Sequence, residues 1–211
     1  MKITILYDNE TLQKNLRSDW GFSCLVEVDD KRILFDTGAN GAILLGNMRT
    51  LKINPTIIDE VVISHEHWDH TGGLATFLKI NPVPVYTPVS CRDFQAAPEL
   101  IRVSGPAAIH KDIYLTGELK KIEQSLIINT AAGLVIVVGC SHPGVDTILN
   151  ATAQLGKPIA LIGGLHGFNR FELLRDLHLI CPTHCTQYIS EIKSRFPDKY
   201  IQGGAGKVIE L

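Results

Sequence analysis

Val61-Val62-Ile63-Ser64-His65-Glu66-His67-Trp68-Asp69-His70 is the stretch on which the reading of this chain turns. Val61 to Ser64 has the β-branched, apolar pattern of a short buried strand, and it runs straight into His65, His67, Asp69 and His70. Imidazole and carboxylate groups suit zinc, manganese or iron. His65 and His67 stand two apart where the strand becomes a loop, so both side chains leave the same face. Asp69 and His70, past a turn, aim at a second ion. One tetrahedral ion could not use all four across so tight a reversal, whereas two ions about 3.5–4 Å apart could share them. Three of the chain's eight histidines fall in this hexapeptide, a concentration that a solvated polar loop does not require.

Two ions need further ligands, and three distant histidines have the right setting. His142 follows the apolar run Val135 to Val138, His184 follows Leu177 to Ile180, and His166 follows Ile159 to Ile162. Each emerges where a strand exits into a loop, the place where a rigid scaffold commonly carries chemistry. His110 and His178 lack that setting and are expected to be structural.

Strands are expected over 2–7, 23–28, 32–35, 61–64, 82–86, 112–115, 125–130, 133–138 and 158–162, the hairpin between 130 and 133 turning at Ala131-Ala132. Helices are expected over 41–51, 71–79, 90–97, 144–155 and 185–195. Strands cluster in two blocks, each followed by helices, an order that two packed sheets with helices outside would accommodate. No repeat, low-complexity tract or linker divides residues 1–211, so one domain is expected.

Composition narrows the partners. The chain has 211 residues, 45% of them apolar and 20% charged, with a formal charge of −2. That balance offers no basic stripe for nucleic acid, and a small molecule is the expected partner. No apolar run is long enough to span a bilayer, and the N-terminus lacks the features of a signal peptide. Five cysteines form no even disulfide framework, and their spacing is wrong for a zinc knot. They are expected to be buried thiols, Cys140 a strand residue among them, and the cytoplasm is the expected compartment. Nothing in the sequence indicates an oligomeric state.

The His-x-His-x-Asp-His pattern after a strand resembles the signature of the metallo-β-lactamase superfamily. The resemblance implies an α/β protein of the α+β type, a four-layer αββα sandwich with the metal site at one edge between the sheets. It implies that His65, His67 and His142 hold a first metal, and that Asp69, His70 and His184 hold a second. Asp36, in Phe35-Asp36-Thr37-Gly38, matches the family's early Asp-Thr-Gly turn and would orient a ligand histidine; a turn aspartate bonded to its own backbone is the plainer alternative. Tyr7-Asp8-Asn9-Glu10, Thr116-Gly117-Glu118, Gly139-Cys140-Ser141-His142-Pro143-Gly144, Gly163-Gly164-Leu165-His166 and His184-Cys185-Thr186 extend the likeness to nearly the whole chain. They resemble the branch that contains dihydropterin–ribofuranosylaminobenzene phosphate synthases and related metal-dependent hydrolases. The chain departs from the superfamily where many members place a metal-bridging aspartate: Gly163 and Gly164 are followed by His166 instead, leaving His166 open to metal ligation or substrate contact. It is also short around residues 86–116, where segments covering the substrate would stand.

The resemblance implies two divalent ions, zinc first, with manganese, iron or magnesium as the others. It implies a hydrolase in which a metal-bound hydroxide, oriented by Asp69, attacks a small phosphate- or ester-bearing substrate. The same ions in a synthase-type transfer of a pterin or ribosyl phosphate form the alternative, and a metal sensor or redox module is a third reading. Di-iron relatives usually carry glutamate where His67 stands, which argues against redox use. Backbone N–H groups of Gly72, Gly73 and Gly144, near helix starts, are expected to be open to a substrate anion.

Overall fold

The computed structural model describes all residues, 1–211. Seven strands form one sheet: β1 (Lys2–Tyr7), β2 (Ser23–Val28), β3 (Lys31–Phe35), β4 (Glu60–Val62), β5 (Val85–Pro88), β6 (Leu100–Val103) and β13 (Val208–Glu210), in the order β13-β1-β2-β3-β4-β5-β6. Six form the other: β7 (Ala107–His110), β8 (Ile113–Leu115), β9 (Leu126–Thr130), β10 (Gly133–Val138), β11 (Pro158–Gly164) and β12 (Leu179–Thr183), in the order β12-β11-β10-β9-β8-β7. The facing sides of the sheets meet in a core built from Ile3, Ile5, Val26, Ile33 and Phe35 on one side and Leu126, Ile128, Val135, Val137 and Ile162 on the other. Each such side chain, fully buried, contributes about 1.5–3 kcal/mol.

The outer faces are covered by helices. Leu44, Met48, Leu74, Phe77 and Leu78 from α1 (Gly41–Thr50) and α3 (Leu74–Leu78) pack on the first sheet. On the second sheet lie Val145 and Ile148 from α4 (Val145–Thr152) and Ile192 from α5 (Ile189–Arg195). The layering is therefore αββα, as expected. No helix is long and apolar enough to cross a membrane.

Direction matters more than order. β3 and β4 run parallel, as do β10, β11 and β12. β1 is antiparallel to β2, which is antiparallel to β3, so β1 ends at the same edge as β3. The loops after β1, β3 and β4 open at the C-terminal ends of their strands, as do those after β10, β11 and β12, the customary ligand side of parallel sheets.

Several local expectations fail for identifiable reasons. Residues 90–97 form no helix: the carbonyls of Val89 and Cys91, which a helix would pair, accept instead from the Arg102 guanidinium at 2.9 and 2.5 Å, while Ser90 and Arg92 N–H are tied to Glu118 and Glu66 at 2.7 Å each. The helix expected over 71–79 is two pieces, α2 (Trp68–Thr71) and α3, split at Gly72-Gly73. A Cβ on Gly72 would lie 2.2 Å from the carbonyl oxygen of Ala39, so the backbone is pressed against the 37–39 turn. The strand expected over 82–86 slides to 85–88, since Pro82 and Pro84 cannot donate to a ladder. The closing helix starts at Ile189 rather than 185, and α4 stops at Thr152. β6, β7 and β13 were not expected at all.

Candidate metal centre

The structure brings every singled-out site residue to one edge between the sheets. His65, His67 and His142 form a triangle, with ring centroids 4.4 Å (65–67), 4.8 Å (65–142) and 4.9 Å (67–142) apart. The His70 ring lies 4.2 Å from that of His65 and 5.0 Å from that of His184. Asp69 Oδ2 is 3.2 Å from His184 Nε2 and 3.9 Å from His70 Nε2. His166 is exposed and stands beside His142 at 5.0 Å, on the side of the His65–His67–His142 triangle. His110 lies elsewhere, 2.8 Å from Glu60, and His178 is exposed just before β12, its N–H donating to the Ile159 carbonyl at 2.7 Å, so neither joins the cluster.

Hydrogen bonds set which nitrogen of each imidazole is free. His70 donates Nδ1–H to Asp36 Oδ2 at 2.7 Å, leaving the Nε2 lone pair facing inward. Asp36 also accepts Ser64 N–H and Ser64 O–H, both at 2.7 Å, and Ser64 Oγ in turn accepts from His65 Nδ1 at 2.9 Å. One buried carboxylate thus fixes two imidazoles, so Asp36 does more than brace its own turn. His184 is held from the other sheet: its Nδ1 faces Asn9 Oδ1 at 2.9 Å, and that oxygen already accepts Gly21 N–H, so Nδ1 is the donor. Asn9 returns a bond to the His184 carbonyl, and Asp8 Oδ1 accepts His184 N–H at 2.9 Å.

The loop bearing His142 is held by Glu123, which the sequence reading missed. Glu123 Oε1 accepts the N–H groups of Gly139, Cys140 and Ser141 at 3.0–3.1 Å, and Oε2 accepts that of His142 at 2.8 Å. The only hint in the chain is a polar triplet, Glu123-Gln124-Ser125, just before an apolar strand; all three are fully buried. Asp36, Ser141, His166 and His184 each adopt positive φ, between 48° and 58°. Such backbone costs about 1–3 kcal/mol per residue and concentrates where a site is being shaped.

Electrostatics favour neutral His65 and His142 and an ionised Asp69, and hold a proton on His70. Burial, then the neighbouring imidazoles, hold His65 well below its ordinary pKa and bring His142 down to about 4, so both are neutral at pH 7. Burial would lower His70 too, but the Asp36 carboxylate outweighs it and raises the group. Burial pushes Asp69 up, and the His184 and His70 rings overcome that to leave it at about 2, ionised.

These residues fit divalent ions. The Nε2 atoms of His142 and His184 are buried and make no hydrogen bond, His184 Nε2 facing Asp69 at 3.2 Å without bonding geometry. Unpartnered buried polar atoms are costly, and aimed at one space they mark a ligand. Cys140, expected to be a plain strand residue, presents Sγ to the same space, 3.2 Å from His70 Nε2. The expected anion donors are not free: Gly72 N–H bonds Trp68, Gly73 N–H bonds Gly38 and Gly144 N–H bonds Ser141.

A profile of the metallo-beta-lactamase superfamily matches residues 21–139. The chain belongs to the metallo-β-lactamase superfamily. It is 29% identical to the 7,8-dihydropterin-6-methyl-4-(β-D-ribofuranosyl)-aminobenzene-5′-phosphate synthase of Methanocaldococcus jannaschii, with 92% of this chain and 90% of that one covered. Among solved structures it is similar to Tm1679, described as a metal-dependent hydrolase of the β-lactamase superfamily, at 26% identity and a TM-score of 0.83, covering 100% and 99% of the two chains. The metallo-β-lactamase fold protein YhfI of Bacillus subtilis shares the fold at 15% identity and a TM-score of 0.72, covering 100% and 99%. Superfamily members usually bind metal ions, and this member carries two groups of candidate ligands, His65 with Cys140 and His142, and His70 with Cys140 and His184.

Proposed function

We propose that this superfamily member is a metal-dependent hydrolase of a small phosphate- or ester-bearing substrate. His65, His67 and His142 would hold one divalent ion, and Asp69, His70 and His184 a second, zinc foremost. The observation that carries this reading is the pair of buried, unpartnered Nε2 atoms on His142 and His184, facing the other donors. Such ions would supply Lewis acidity and lower the pKa of a bound water toward neutrality.

The chain's own residues do the rest. Asp36 and Asn9 fix His70 and His184 as Nε2 donors, and neutral His65 and His142 need shed no proton before binding metal. Ionised Asp69 is placed to accept a hydrogen bond from the attacking water and hold it in line. His166, exposed at the mouth beside His142, is placed to give a proton to the leaving oxygen. Trp68 is exposed next to His67, and Trp20 lies 5.1 Å from His184, so both can wall the substrate.

A second reading is favoured by the synthase of M. jannaschii, alike over nine-tenths of both chains. There the same side chains would position a phosphorylated aromatic for group transfer rather than hydrolysis. Purified protein assayed on phosphodiester, thioester and lactone panels, with His67→Ala alongside, separates the cases. Hydrolysis lost in the variant supports the proposal, and turnover unchanged by it contradicts the proposal. Saturable binding of a pterin phosphate without ester turnover favours the synthase reading.

A further inference from the structure

Sulfur, rather than oxygen, occupies the space between the two groups of imidazoles. Cys140 Sγ belongs to both candidate ligand groups, and within each group the ligand atoms lie within 4.8 Å of one another. The side chain is buried at the end of β10, with His70 Nε2 3.2 Å away. With Nδ1–H given to Asp36, the neutral His70 ring can only accept at Nε2, and in that form the Cys140 S–H is the donor it faces. Two further nitrogens, His142 Nε2 and His184 Nε2, one from each group, make no hydrogen bond, the second standing 3.2 Å from Asp69 Oδ2.

β11 has no room to supply a carboxylate instead. A Cβ on Gly164 would stand 2.5 Å from the Gly139 carbonyl oxygen and 2.7 Å from Cys185 Sγ, so no side chain fits there. The ladder between β10 and β11 is closed against that position by the bond from Gly164 N–H to Gly139 at 3.0 Å. Gly164 thus leaves the space beside Gly139 and Cys140 without a side chain from β11, and the Cys140 sulfur is the donor atom common to both groups.

We propose that Cys140, as its thiolate, is the ligand shared by the two ions. The proposal rests on the two-ion reading above. On loading, the S–H bond breaks, sulfur bonds to metal, and the proton passes to the buffer. A thiolate in that place makes the centre favour zinc or iron(II) over magnesium and manganese, which prefer oxygen. Cys185, whose sulfur lies near Gly164 and against Cys140 but in neither ligand group, is the comparison that separates loss of the neighbouring thiol from loss of the ligand.

Metal-stripped protein titrated with cobalt(II) gives the test, on wild type, Cys140→Ser and Cys185→Ser. The expected result is an intense near-ultraviolet sulfur-to-cobalt band in wild type and Cys185→Ser, rising up to two cobalt per chain and absent in Cys140→Ser. Zinc-edge X-ray absorption of the wild type needs no variant to fold. It is expected to show a sulfur shell at about 2.3 Å with one sulfur per zinc at two zinc per chain. Cobalt bound without the band, a band that survives in Cys140→Ser, or a shell of nitrogen and oxygen alone overturns the thiolate while leaving the two-ion reading standing. Half a sulfur per zinc overturns the sharing. Protein that binds no cobalt overturns both readings.

Discussion

Two buried carboxylates hold the two halves of the site, and they do so in different ways. Asp36, between β3 and the histidine hexapeptide, reaches side chains: it accepts from His70 Nδ1 and from Ser64, and through Ser64 governs His65. Glu123, before β9, touches only backbone, collecting the N–H groups of Gly139 to His142. The first bears on the basicity and tautomer of candidate ligand rings; the second fixes where the loop carrying His142 lies. Both are fully buried, so burial alone does not tell tuning from positioning. What distinguishes them is whether the atom on the far end of the hydrogen bond belongs to a ligand ring.

The largest effect should come from Glu123→Ala. Four buried N–H groups would lose their acceptor, at about 1–3 kcal/mol each and not additively. A loss on the order of 4 kcal/mol lowers the melting temperature by roughly 8–16 °C in a chain of this size. Thermal denaturation of metal-stripped protein checks it, and a fall of less than about 3 °C would remove Glu123 from its positioning role. Asp36→Asn should behave in the opposite sense: a smaller loss of melting temperature without metal, but zinc affinity down roughly 10–100-fold. Competitive titration against a chelator measures that loss. Equal affinity in wild type and variant would mean that Asp36 merely braces its turn.

The smallest effect is a dependence on pH. Burial raises Asp8 to about 7, against the opposing pull of the His184 and Asn9 N–H groups. Its folded pKa is therefore above the unfolded value of about 3.9, and the stability its protonated form contributes is complete below that value. That contribution is lost as pH rises from about 4 toward 7. The melting temperature of Asp8→Asn, relative to wild type and without metal, should improve between pH 5 and pH 8. A difference that is flat across that range would show that Asp8 stays ionised in the fold.

The convergence of the hexapeptide and the three strand-end histidines was legible because rare residues stand directly next to apolar runs. His65, His67, Asp69, His70, His142 and His184 could be read in this way, and the αββα layering followed from the family their pattern resembles. Asp36 was visible for the same reason, as part of a motif. Glu123 was not, since a carboxylate that binds backbone imposes no residue type on its partners and leaves no spacing. Asn9 lay in a motif that was recognised without its role, because its contact with His184 spans 175 positions. β6, β7 and β13 are three or four residues long and lie at or near sheet edges, too short for periodicity to register. Residues 90–97 misled because an apolar and polar mix of helical spacing is unstructured there by side-chain competition for its backbone.

Metal content tests the central claim most directly. Protein stripped with a chelator, reloaded with zinc and freed of excess should carry two zinc ions per chain by elemental analysis. His184→Ala should carry one, and a His65→Ala/His184→Ala double variant should carry none tightly. Wild type that returns without zinc, or a double variant that holds as much zinc as wild type, would contradict the account.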